Sequence, residues 1–194
     1  VRSGSINVNI PDATRFWYGG TNPGEANTAI NISGIPAGAV ITNITVSLLN
    51  VNETNDGDLN FNIKAPNGRI LNLINRRGSS GNNFTNTSVT GNGGVSLGTG
   101  SAPFTGTFVP DATLYLGPGG NTSNVTSFSS LTSIPNGTWR LYAEDVVDNG
   151  SSGSINSWSV TIDYTVPVSN PVTWSPATDL YTDAGATIPY TGQS

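Results

Sequence analysis

The chain has 194 residues, with seven basic and twelve acidic side chains and a net charge of −5. So sparse a basic complement argues against a nucleic-acid or anionic-membrane partner, which needs a cationic footprint. It holds no cysteine and no histidine, which removes disulfides, thiolate zinc sites and the Ser-His and Cys-His nucleophile pairs.

No stretch carries apolar residues at helical spacing over three turns. Thr, Ser, Val, Ile and Asn dominate instead, between 24 glycines and 12 prolines, the vocabulary of strands and tight turns. The class is all-β. No apolar run reaches membrane-spanning length, and neither an initiator Met nor a signal peptide opens the chain. An internal piece of a longer secreted polypeptide is expected, located outside the cell or on its surface.

Strand candidates follow in order. Ile6–Ile10 alternates and stops at Pro11-Asp12, and Ala29–Ile32 ends in Ser33-Gly34. Thr42–Val51 places Ile44, Val46 and Leu48 on one face. Asp58–Ala65 turns Leu59, Phe61 and Ile63 inward and Asp58, Asn60, Asn62 and Lys64 outward. The turn Pro66-Asn67-Gly68 leads into Arg69–Ile74, with Leu71 and Leu73 inward. Residues 75–102 read as a long Gly/Ser/Asn-rich loop, and Arg76-Arg77 within it as a solvated turn. Order returns at Phe104–Val109 and Thr113–Leu116, while Phe128–Ile134 is ambiguous. Thr138–Asp145 aligns Trp139, Leu141 and Ala143, and Ile155–Val166 aligns Trp158, Val160, Ile162 and Tyr164. Composition changes at Pro167. Residues 1–166 are expected to form one β-sandwich, and 167–194 a linker and the truncated start of a following β repeat.

Two acidic patches stand at loop–strand junctions: Glu53, Asp56 and Asp58, and Glu144, Asp145 and Asp148. Hard cations want several such oxygens, with help from carbonyls and Asn. Asp-Gly and Asp-Asn-Gly are also ordinary turn formers, so the cation reading requires the patches to meet in space. Neither patch fits an EF-hand loop. Nothing selects a carboxylate pair for glycoside hydrolysis or a nucleophile elbow, so no catalytic residue is expected. Trp139 and Trp158 fall in phase with core faces. Trp17 and Tyr18, beside Gly19-Gly20, are either a cap over the sandwich end or a ligand-stacking surface.

Ile10-Pro-Asp12, Gly57-Asp58-Leu59, Ala65-Pro-Asn-Gly68, Gly137-Thr-Trp139-Arg-Leu141, Asp145 and Gly153-Ser-Ile-Asn-Ser-Trp158 stand in an order that resembles the P domain. That module follows the catalytic domain of subtilisin-like proprotein convertases and occurs in many bacterial secreted proteins. The resemblance covers about residues 5–165. It implies an antiparallel jelly-roll β-sandwich of galactose-binding-like type, with structural calcium near Asp58 and Asp145. Asp56, Asp148 and Glu53 are further metal candidates. The chain departs from the pattern where Glu53 replaces a common His and Asp56 a frequent basic residue. Val172-Thr-Trp174-Ser-Pro176 through Ile188-Pro-Tyr190-Thr-Gly192 resembles a repeated segment of large surface and gliding adhesins of Bacteroidetes.

The expected function is therefore a non-catalytic, calcium-stabilised module of a large secreted or cell-surface adhesin. Its partners would be neighbouring modules of the same polypeptide, and surface glycans or other cell-surface proteins. The alternatives are the accessory domain of a secreted subtilisin-like protease, and a carbohydrate-binding module using Trp17.

Overall fold

The computed structural model describes residues 2–15, 20–168 and 181–189, which contain strands and short 3-10 turns but no α-helix. Six strands occupy the first part: β1 (Arg2–Ile10), β2 (Thr14–Arg15), β3 (Thr21–Asn22), β4 (Gly24–Ile32), β5 (Val40–Asn52) and β6 (Leu59–Lys64). Six more follow: β7 (Ile70–Asn75), β8 (Phe84–Thr90), β9 (Val95–Ser96), β10 (Gly106–Val109), β11 (Gly137–Asp145) and β12 (Gly153–Thr165). A larger sheet has the order β1-β12-β5-β8-β10-β9, a smaller one β4-β11-β6-β7, and β2-β3 is a short ribbon.

Two-residue alternation produces these sheets. Along β4 every second residue is buried and every other one exposed, the pattern of a strand with one wet face. The larger sheet contributes Val46, Leu48, Trp158 and Val160 to the core, and the smaller contributes Phe61, Ile63, Leu71, Trp139 and Leu141. All belong to one hydrophobic cluster, so the described residues form a β-sandwich-like all-β fold. A register shift between Ile155 and Ser157 lets Ile155 and Trp158, three residues apart, both be fully buried. The β6–β7 turn closes through Gly68 N–H to Ala65 O (3.0 Å) and Ala65 N–H to Arg69 O (3.0 Å). Gly68 sits there at φ +81°, a backbone state glycine adopts without steric cost.

Four sequence expectations change. Residues 75–102 are not one loop: β8 lies within them and pairs antiparallel with β5. Its FTNTSVT sequence hides the signal because Thr87, buried opposite the inward Leu48, takes a core-side position that an apolar residue would have announced, while Thr90 is buried on the opposite face. β10 then pairs parallel to both β8 and β9. Parallel neighbours need a return crossover, which accounts for the length of residues 91–105. Phe104 anchors that crossover by stacking on Phe84, with centroids 5.3 Å apart. Thr113–Leu116 forms no strand and belongs instead to a loop laid over the smaller sheet. Asn60 and Asn62 do face away from the sandwich core, yet both are buried: Asn62 Nδ2 donates to Leu116 O in that loop, and Asn60 Nδ2 to Glu144 on β11.

Arg77 is the fourth. Its guanidinium forks onto the carboxylate of Asp111 at 2.6–3.0 Å, and Asp111 also accepts the Asn75 N–H at 2.8 Å. The Asp111 hydrogen bonds hold the Arg77 guanidinium above its ordinary pKa. Because Asp111 is 7% exposed and Arg77 39%, truncation strands the less solvated partner. Arg77→Ala is expected to cost roughly 1–3 kcal/mol in chemical denaturation, whereas a solvated turn would lose almost nothing.

Candidate metal centre

The β5–β6 connection and the end of β11 bring acid together beyond the end of β5. Glu53 follows β5, Asp56 and Asp58 form a 3-10 turn before β6, and Asp145 ends β11. Glu53 and residue 83 are zipped together: Glu53 N–H donates to Asn83 Oδ1 (3.0 Å), and Asn83 N–H to Glu53 O (3.2 Å). Asp56 N–H continues the ladder to Gly81 O and Gly57 N–H to Ser79 O, both at 2.8 Å. Glycine permits that approach. A Cβ on Gly57 would lie 2.8 Å from Ser79 backbone, and one on Gly78 would lie 2.8 Å from the Asp56 Cβ.

These contacts bury charge without pairing it. Asp56 is completely inaccessible and neither carboxylate oxygen has a partner. Glu53 spends Oε1 on the N–H groups of Thr54 (2.7 Å) and Asn55 (3.3 Å), and its Oε2 is buried and unpartnered. Asp145 likewise accepts Val147 N–H on Oδ1 (3.0 Å), leaving Oδ2 buried and unpartnered. Burial pushes the Asp56 carboxyl up to about 8, with Glu53 adding repulsion against the opposing Asn83 N–H. Asp145 is pushed up to about 6, first by burial; the Val147 N–H opposes this, and Glu53, Asp58 and Asp12 add repulsion.

The two patches therefore meet. Glu53 is within electrostatic reach of Asp56 on one side and Asp145 on the other. Asp58 is tied in by Asn149 Nδ2 (2.7 Å) and by its own carbonyl, which accepts Val146 N–H (3.0 Å). Asp148 is engaged elsewhere: it accepts the Arg15 N–H at 3.1 Å and lies 4.0 Å from that guanidinium. Glu144 points to the opposite face of β11, where Asn60 Nδ2 donates to it at 3.2 Å. Strand alternation thus splits a contiguous acidic run. Asp12 joins the site unannounced, accepting the N–H groups of Asn149 (3.3 Å) and Gly150 (2.8 Å). Its sequence signals were its place in Ile10-Pro-Asp12, a strand stop and one of the P-domain-like motifs, far from both patches.

Among the described residues none of Glu53, Asp56, Asp58 or Asp145 forms an ion pair with Lys or Arg. As the side chains stand, no three acidic groups among those residues converge at ligand geometry. The donor set nonetheless suits a hard cation, because four buried carboxylate oxygens lack any partner and such ions complete their shells with carbonyls and amides. Trp17, Tyr18 and the Val172–Leu180 stretch of the tail lie outside the described residues. No helix among the described residues is long and apolar enough to cross a membrane. No protein-family model matches the chain, and no curated protein matches it significantly.

Proposed function

We propose that this chain is a non-catalytic, P-domain-like jelly-roll module of a secreted or cell-surface adhesin-type protein, stabilised by calcium. The observation that carries the reading is the buried, unpartnered carboxylate group of Asp56, Glu53 and Asp145. Uncompensated carboxylates in low dielectric are costly, and a divalent cation supplies the charge this end of the sandwich lacks. Asp56, Glu53, Asp145 and Asp58 would hold the ion, with neutral oxygens completing its shell. Asp148, paired with Arg15, serves better to fasten the loop behind them. Lack of His and Cys supports binding and scaffolding over catalysis, and the motif order through Gly57-Asp58-Leu59 and Trp139-Arg-Leu141 supports the P-domain assignment.

The test is thermal melting in chelator and across a calcium titration, with magnesium as control. A ligand bound only by the folded state stabilises by about 2.7 kcal/mol at a hundredfold excess over its Kd. For a domain of this size that is a Tm rise of roughly 5–10 °C. A Tm indifferent to calcium sinks the proposal. A shift that survives Asp56→Asn combined with Asp145→Asn places the ion elsewhere.

A further inference from the structure

The outer face of the smaller sheet carries a second polar feature, remote from the acidic end and of opposite charge. Lys64, the chain's only lysine, sits directly across from Arg140 in the β6–β11 register. Like charges directly opposite one another in a sheet are destabilising. Among the described residues neither forms an ion pair. Each meets only a neutral amide oxygen: Lys64 Nζ donates to Asn121 Oδ1 (3.0 Å), and Arg140 Nη1 to Asn27 Oδ1 (2.8 Å). A protein with twelve acids leaves two of its seven cations side by side and uncompensated.

The two cations line a depression of about 380 Å³ with Pro66, Gly68, Thr138 and Tyr142. That volume falls within the roughly 300–1,000 Å³ range of small-ligand sites. On the next strand the residue directly opposite Arg140 is the small Ala29, and the guanidinium meets that strand through the Asn27 amide. The Tyr142 hydroxyl donates to Asn121 Oδ1 (3.1 Å), which ties ring, lysine and loop into one wall. Amides, a hydroxyl and an aromatic edge around two fixed cations suit a ligand rich in hydroxyls that also carries an anion.

We propose that the Lys64–Arg140 depression binds an acidic saccharide unit, its carboxylate or sulfate group bridging the ammonium and the guanidinium. Arg140 supplies the planar fork and Lys64 the point charge. The site is independent of the cation centre. Binding is measured by calorimetry below the melting transition and in chelator, so that no divalent ion bridges the polyanion to the acidic end. The probes are an oligogalacturonide, a sulfated galactan oligosaccharide and a neutral galactan oligosaccharide of equal length.

One or both anionic probes are expected to bind, with affinity falling as salt rises, while the neutral probe does not. Binding of the uronate alone assigns a carboxylate ligand, and of the sulfated chain alone a sulfate ester. Lys64→Gln with Arg140→Gln should weaken binding at least tenfold. It should leave Tm equal or higher, because it relieves the like-charge pair, and that separates loss of a site from loss of the fold. Equal affinity for neutral and anionic probes, absence of any binding, or full affinity in the double variant overturns the proposal.

Discussion

Trp139→Ala is expected to lower the unfolding free energy by about 3–5 kcal/mol, measured by urea denaturation. The indole is completely buried and belongs to the single core cluster. It stands on β11, the strand that holds β4 on one side and β6 on the other. Its loss opens a cavity between well-packed faces rather than at an edge. The indole Nε1–H also donates to Pro135 O at 3.0 Å, fixing the entry of the chain into β11.

Trp158 is equally buried, yet its Nε1–H finds no partner. Phenylalanine at that position removes an unsatisfied donor along with the volume. Trp139→Phe is therefore expected to cost more than Trp158→Phe, by about 1 kcal/mol. The reverse order would show that the Pro135 hydrogen bond contributes nothing.

Asp56→Asn is expected to change sign with calcium. Asp56 is pushed up to about 8 and Asp145 to about 6, both above their ordinary value of 3.8. Between those values the folded form holds protons that the unfolded chain has released. The contribution of these two groups is thus fully present below about pH 4 and is lost as the pH rises through 6 and then 8. In chelator the parent protein should lose stability from pH 5 to 8, with a slope bounded by two protons (about 2.7 kcal/mol per pH unit) up to about pH 6 and by one proton (about 1.4 kcal/mol per pH unit) above it.

Asn at position 56 keeps the shape and removes the charge. In chelator at pH 8 the variant should melt above the parent and vary less with pH. In saturating calcium the order should invert, because the parent retains an anionic ligand and the variant does not. Melting curves at pH 5 and 8, with and without calcium, give all four comparisons. A parent that gains stability toward pH 8 in chelator, or a variant that melts lower there, contradicts an unpaired buried Asp56.

Strands with an apolar residue at every second position were legible because their periodicity is the physical cause of the sheet. Ile44-Val46-Leu48, Leu59-Phe61-Ile63 and Trp139-Leu141-Ala143 lie inward in the structure as alternation requires. β8 was not legible. Thr87 occupies the buried position opposite Leu48 there, with its Oγ1 donating to Pro103 O at 3.3 Å. A hydroxyl that finds a partner in a neighbouring loop can stand where a methyl normally signals the core.

The acidic end divided similarly. Asp56, Asp58 and Asp145 stood out because carboxylates clustered at strand ends are unusual in so lightly charged a chain. Asp12, noted only within the Ile10-Pro-Asp12 motif, and the Gly78–Gly81 backbone that covers Asp56 carried no ligand pattern, since their roles depend on which loops fold against each other.

The two acidic patches were visible in the sequence; that they meet was not. Composition alone determined the all-β class and removed histidine and cysteine chemistry, since no fold restores an absent side chain. Alternation determined which face of most strands is apolar. Tertiary structure decided which polar residues are buried, because Asn60, Asn62 and Asp56 look solvent-facing until a neighbouring strand or loop covers them. It also set the charges apart, turning Glu144 away from Asp145 and placing Lys64 beside Arg140. Register and loop packing govern those juxtapositions, and they arise between residues far apart in the chain, beyond the reach of any local pattern.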